Sequence, residues 1–205
     1  MCSSDLLIIG TNQREGTLFP KFLDALQTNP VRIHQMILNT DPAAEKRITA
    51  AYSGYPKSSA ATDVGGDVTF WKPSMDLAEA HSAHAPTFAY RYDYAPRLLR
   101  LLGFDATHGS ELFAVFDIYN TLFGKFLTLI IDRAGAKAVS DEVQAHWLRF
   151  AHDGAPKSTW PPFDANSRST RIFDAKSRVD NDPGARKREA WDGYSGYDGA
   201  LLDQS

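Results

Sequence analysis

The 205 residues contain a single cysteine, Cys2, so no disulfide can form within the chain, which fits a reducing compartment. No run of about 18 apolar residues occurs, leaving no candidate for a membrane-spanning helix. The start shows no signal-peptide pattern either, which leaves localisation open while favouring a cytoplasmic setting. Basic blocks are also scarce. The formal net charge is −3, and the strongest positive run, Arg186-Lys187-Arg188, lies beside Glu189. It reads as a solvated helix face, so no nucleic-acid partner is expected. Metal-ligand clusters are missing too. His81 and His84 stand three apart on an expected helix, but no third ligand accompanies them, so they read as a surface pair and no metal or other cofactor is expected. Neither internal repeats nor low-complexity segments interrupt the chain. Hydrophobic residues make up 43% and charged residues 23%, a balance that excludes disorder as the default.

What is present alternates between strands and helices. Leu6-Leu7-Ile8-Ile9 is a short apolar run closed by Gly10 and reads as a buried strand ending in a turn, Thr11 to Gly16. Asn29 and Pro30 open a helix running to Leu38, and Asp41-Pro42 opens another running to about Tyr52, because a capping side chain followed by proline suits a helix start. Gly54-Tyr55-Pro56 ends that helix. A longer helical stretch covers about Ala60 to Ala83, with an irregularity expected near Gly65-Gly66 or Pro73. Thr87 to Tyr92 alternates aromatic and polar residues as a strand does.

In the second half, Gly103 to Gly109 is a loop containing His108. Val143, Trp147, Phe150 and Ala151 mark an amphipathic helix. Ser140, Asp141 and Glu142 are expected to cap it, and Gly154 to end it. His146 and His152 flank its face and are expected to be solvated. Trp160-Pro161-Pro162-Phe163 is a rigid loop, Thr170 to Phe173 a strand, and Pro183 to Trp191 a last helix. Strands separated by helices imply an α/β sheet. Three short strands make a thin sheet for this length, and the chain opens directly into a buried strand. Both suggest that a portion preceding it is missing.

Two turns carry candidate chemistry. Asn12-Gln13-Arg14-Glu15-Gly16 places Glu15 just beyond the C-terminal end of a strand, where α/β sheets hold their active sites. Thr107-His108-Gly109-Ser110-Glu111-Leu112 places His108 on a loop after the next strand. A carboxylate that fixes an imidazole's tautomer and stabilises its protonated form is the second half of a catalytic triad. In α/β-hydrolases the chain order is nucleophile, acid, histidine, and the order here is acid, then histidine. Spacing alone does not single out this pair.

Resemblance does. Asn12, Glu15 and Gly16 resemble the acid turn of the type B carboxylesterase and cholinesterase family, Asn-Xaa-Xaa-Glu-Gly. His108, Glu111 and Leu112 resemble its His-Xaa-Xaa-Glu-Leu/Ile motif. Phe88-Ala89-Tyr90-Arg91-Tyr92-Asp93-Tyr94, Trp147-Leu148-Arg149-Phe150-Ala151 with Gly154, Trp160-Pro161-Pro162-Phe163, Ile172-Phe173-Asp174 and Ser177-Arg178-Val179 resemble its C-terminal region in the same order. The resemblance covers essentially all of residues 1–205. It implies a partial α/β-hydrolase fold, the C-terminal portion of a carboxylesterase domain. It also implies a serine esterase acting on a small carboxylic ester, with Glu15 and His108 as catalytic residues. Glu111 would support the histidine loop from behind, or serve only as a helix N-terminal acid.

One departure is large. The family carries its nucleophile in a Gly-Xaa-Ser-Xaa-Gly elbow and its oxyanion hole in a glycine-rich loop, both upstream of the acid. Neither occurs here. Ser195 in Gly193-Tyr194-Ser195-Gly196 has the wrong spacing and follows the histidine, and Ser110 stands where the family has a structural position. No nucleophile is assigned. The chain resembles a C-terminal fragment arising by truncation, frameshift or a split gene, and a complementing N-terminal half is the expected partner. Two readings stay open: an ester hydrolase that needs its missing part, or a non-catalytic interaction domain or remnant of an esterase. Phe113, Phe116, Tyr119 and Phe123 read as core, with an acyl pocket as the alternative. The geometry to expect is parallel pairing of the first two strands, Thr170 to Phe173 as an outer strand, and a Glu15 oxygen about 2.6–3.2 Å from a ring nitrogen of His108.

Overall fold

β1 (Leu7–Asn12), β2 (Thr87–Tyr92), β3 (Ser169–Phe173) and β4 (Arg178–Asn181) form one sheet in that order in a computed structural model, which describes residues 5–22 and 26–196. Cys2 lies outside the described residues. β1 pairs parallel with β2, from Leu7 opposite Thr87 to Asn12 opposite Tyr92. β2 pairs parallel with β3, and β3 antiparallel with β4. The expected neighbours are therefore neighbours. β3 is not the outer strand, however, because β4 lies beyond it. The β4 sequence, Arg178-Val179-Asp180-Asn181, is mostly polar and partly exposed, so it carries no apolar run that would announce a strand.

β1 corrects a second expectation. It runs through Gly10 to Asn12 rather than ending at Gly10. Gly10 sits opposite Tyr90, and a Cβ there would lie 2.5 Å from the Tyr90 Cγ atom. The residue is glycine because two backbones and a ring meet at that point, not because the chain turns.

In chain order the helices are α1 (Phe19–Phe22), α2 (Pro30–Thr40), α3 (Glu45–Ala50), α4 (Ser58–Gly66), α5 (Lys72–Ser82), α6 (Arg97–Leu101), α7 (Leu112–Val115), α8 (Leu122–Asp153) and α9 (Ala185–Trp191). Asn29 caps α2, accepting from the Arg32 N–H at 3.0 Å, and Pro30 occupies its first turn. A 3-10 turn, Pro42–Ala44, leads into α3. The long stretch expected from Ala60 to Ala83 is α4, a π-helical turn at Asp67–Trp71, and α5, so the irregularity lies just past Gly65-Gly66.

α8 is much longer than expected. Thr121 caps it, accepting from the Gly124 N–H at 3.1 Å, while Ser140, Asp141 and Glu142 lie in its interior. Ser140 is buried and donates to the Ala114 carbonyl at 2.7 Å. Gly154 ends the helix in left-handed backbone, as expected.

The chain divides into two units. The first takes Met1–Glu15 and Pro73–Pro183 and holds the sheet. Alternation along β2 sends Phe88 and Tyr92 to one face, where they pack with Phe173, Val139, Val143 and Trp160. Ala89 points to the other face, against Ala78 and Phe163. The Trp160 indole donates to the Ala89 carbonyl at 3.0 Å, pinning its loop to β2.

His146 was expected in solvent and is instead 1% exposed, with its ring 5.3 Å from Trp160 and 5.8 Å from Phe173. Burial, reinforced by the Arg171 charge, pushes its pKa down to about 4, so it is neutral at neutral pH. His152 is exposed beside Asp153, as expected. Of the aromatic quartet, Tyr119 is core, whereas Phe116 and Phe123 are largely exposed.

The second unit takes Gly16–Lys72 and Gly184–Ser205, and its core gathers Ile33, Ile37, Ile48, Val64 and Trp191. Here the Arg186-Lys187-Arg188 run departs from a merely solvated face. Lys187 pairs with buried Asp67 at 2.6 Å and lies over the Tyr52 ring. Among the described residues, no helix is long and apolar enough to cross a membrane.

Candidate active site

The site lies wholly in the first unit, at the C-terminal ends of β1 and β2. After Asn12 the chain leaves the sheet. The Gln13 N–H still bonds the Tyr92 carbonyl at 2.9 Å, and the Arg14 N–H bonds the Ala106 carbonyl at 3.0 Å. Arg14 also pairs with Asp105 at 2.8 Å. The acid turn and the histidine loop are thus tied together through backbone and side chain. Glu15 then begins a 3-10 turn, Glu15–Leu18. In the histidine loop, Gly109 adopts φ +76°, a left-handed conformation that costs a Cβ-bearing residue about 1–2 kcal/mol. The Ser110 N–H closes the loop on the Thr107 carbonyl at 3.0 Å.

This brings together residues 93 positions apart. His108 Nδ1 lies 2.8 Å from Glu15 Oε2, inside the expected range. Glu15 is 5% exposed, whereas the His108 side chain is 44% exposed. The buried acid and open imidazole suit a base that must reach a reactant. The other Glu15 oxygen accepts from the Asn12 backbone N–H at 2.6 Å and from the Asn12 amide at 3.3 Å. An ionised carboxylate only accepts, so Nδ1 is the protonated nitrogen of a neutral His108. The hydrogen bond to Glu15 raises the His108 pKa against the lowering effect of burial, and the charges of Glu15 and Glu111 add to the rise.

Glu111 lies beside the site. Its Oε2 accepts from the Asn12 amide at 2.5 Å, so it touches the residue that holds Glu15. Ser110 is buried and donates to Asn12 Oδ1 at 2.9 Å. Ser195 is exposed and belongs to the second unit. His81 bonds Thr87 Oγ1 at 2.7 Å, anchoring the end of α5 to the start of β2. In the sequence Asn12 stands out only as part of the acid-turn motif. Its available signal was position, the last residue of a strand and three before the acid.

Comparison with known proteins gives the family. The carboxylesterase family model matches residues 4–191. The chain belongs to the carboxylesterase family, and its fold is part of an α/β-hydrolase. It is 30% identical to the para-nitrobenzyl esterase of Bacillus subtilis (strain 168) over 190 residues, covering 89% of this chain and 37% of that protein. It is 28% identical to a cocaine esterase of Oryctolagus cuniculus, covering 80% of this chain and 34% of that protein. Among solved structures, a thermophilic pNB esterase superposes with a TM-score of 0.70 at 26% identity, covering 90% of this chain and 38% of its own. The chain therefore spans little more than a third of the length of these relatives.

Proposed function

We propose that this chain supplies the acid and the histidine of a Ser-His-Glu ester hydrolase whose serine comes from a separate or preceding polypeptide. The observation that carries the reading is the 2.8 Å contact between Glu15 and His108, in the family's chain order. With Nδ1 engaged by Glu15, Nε2 is the atom that would accept the serine proton as the hydroxyl attacks the ester carbonyl. The same nitrogen would return the proton to the departing alcohol. Water would then enter by the same base and release the carboxylic acid, regenerating the serine.

The complementing half has a natural docking place. β1 is the end strand of the sheet, and its outer edge has no partner strand among the described residues. A groove of about 580 Å³ runs beside it, lined by Leu6, Ile8, Tyr90, Trp147 and Phe150. Leu122, Phe123, Phe126 and Ile131 are exposed along the first part of α8. An uncovered strand edge and apolar faces of this kind invite another chain.

Isolated, the chain should not hydrolyse short-chain esters at an enzymatic rate, since loss of the serine alone costs about 10⁶ in turnover. Co-expression with a polypeptide carrying a Gly-Xaa-Ser-Xaa-Gly elbow should restore hydrolysis, and Glu15→Gln or His108→Ala should abolish it. Turnover by the isolated chain, with fluorophosphonate labelling of Ser110 or Ser195, would overturn the assignment. A complex that forms but hydrolyses no ester would favour the interaction-domain reading instead.

A further inference from the structure

The hydrogen bonds around the acid converge on one amide. Asn12 Nδ2 donates to Glu111 Oε2 at 2.5 Å and to Glu15 Oε1 at 3.3 Å, its Oδ1 accepts from Ser110 at 2.9 Å, and its backbone N–H donates to Glu15 Oε1 at 2.6 Å. Carboxylates only accept and the amide oxygen only accepts, so the orientation is determined: the NH₂ must face the two acids and the oxygen must face the hydroxyl. Ser110 is 2% exposed and Asn12 4% exposed, so neither of these two can exchange its partner for bulk water at little cost. The bonds join three segments of chain: the end of β1, the acid turn, and the loop from His108 to α7.

We infer that Asn12, with its amide held in register by Ser110, is a positioning residue that fixes the Glu15 carboxylate and the Glu111 carboxylate around His108. This rests on the proposed acid–histidine reading. Both carboxylates raise the basicity of His108, and both act on Tyr90, whose hydroxyl pKa is raised by burial first and then by Glu111 and Glu15. The amide places two negative charges near one imidazole without letting either float. Tethered this way, the base keeps a stronger pull on a proton than Glu15 alone would give it. Ser110 is then a lock on the amide and not a nucleophile.

The test is a ¹H–¹⁵N titration of the His108 ring in the full 205-residue chain, in Asn12→Leu and in Asn12→Asp. Leucine keeps the volume and removes donor and acceptor. The His108 pKa should fall by at least about 0.5, with loss of the hydrogen-bonded Nδ1 proton signal. Aspartate keeps the shape and the Ser110 acceptor but adds a like charge, so the same pKa should rise. Ser110→Ala should give a smaller fall than Asn12→Leu. A residue that served packing alone would leave the pKa unmoved in Asn12→Leu and in Ser110→Ala, and that result overturns the proposal; the rise in Asn12→Asp reports only that charge at this position reaches the imidazole. Backbone amide spectra matching wild type verify the fold, and if Asn12→Leu does not fold, Asn12→Ala and Ser110→Ala carry the test, each with an expected fall. The readout is independent of ester hydrolysis. Shifts in these signs with no hydrolysis on complementation would defeat the functional reading alone, whereas hydrolysis with unmoved pKa values would defeat only this inference.

Discussion

Replacing Gly10 by alanine should unfasten β1 from β2. The new Cβ would lie 2.5 Å from Tyr90 Cγ and against the Tyr90 carbonyl oxygen, and ordinary contact needs about 3.5 Å or more. The strands must therefore part by about 1 Å at that rung to clear the carbonyl, and the Tyr90 ring must shift in its packing against Trp147, 5.1 Å away. Neither is cheap, because one obstacle is backbone and the other a nearly buried aromatic. The cost should be about 3 kcal/mol, the upper part of the range for overpacked sites. In urea this lowers the unfolding midpoint by about 1–2 M. Gly109→Ala is the control. Its Cβ meets only Leu112 Cδ1 at 3.9 Å, so the cost should be only the left-handed strain, about 1 kcal/mol. In a complemented enzyme the Gly10 change should also reduce turnover about 10²-fold, since β1 delivers Glu15 and a 1 Å error is costly there. Near-wild-type stability for Gly10→Ala, or a larger loss for Gly109→Ala, would refute the steric argument.

Three further substitutions probe buried polar groups and their partners. His146 has its pKa depressed to about 4, so the folded state binds fewer protons than the unfolded chain below pH 6.5. Its contribution is complete above about pH 6.5 and is lost as pH falls toward 4, by about 3 kcal/mol. His146→Phe should flatten that part of the acid limb in urea unfolding at pH 7 and pH 4.5, and an unchanged limb counts against the buried neutral imidazole. Within the second unit, Lys187→Met leaves buried Asp67 with the Tyr52 hydroxyl at 2.8 Å but no cation, and should cost about 3–5 kcal/mol. Pairing it with Asp67→Asn should recover much of the loss in a thermal-melt double-mutant cycle. Simple additivity would mean that the pair is not coupled.

What could be read in the sequence follows from what is local. Asn29-Pro30 and Gly154 announce a helix start and stop because a cap and a left-handed terminus depend on a few adjacent residues. The sequence of β2 shows its alternation because one face meets a cluster of aromatics and the other presents Ala89 as its only apolar residue, against Ala78 and Phe163. Gly10 misled because a glycine needed for close approach looks the same as one needed for a turn. The first half of α8 was hidden because Leu122, Phe123, Phe126 and Ile131 are exposed there, which leaves no single apolar stripe. His146 and Lys187 misled for a related reason: a polar residue at a core position is recognisable only when its distant partners, Trp160 and Phe173 or Asp67, are in place. Glu15 and His108 were found through family motifs, but Asn12's bonds to Glu111 and Ser110 cross about 100 positions and left no local mark.

The most direct measurement of the central claim is the pKa of His108 in the 205-residue chain and in Glu15→Gln, followed by ring ¹⁵N shifts from pH 5 to 9. The account predicts a wild-type value above 6.5 with the neutral ring protonated at Nδ1, and a clear fall in the variant, where the carboxylate and its charge are gone. A wild-type value at or below 6.5, unchanged by Glu15→Gln, would mean that the acid does not hold the histidine.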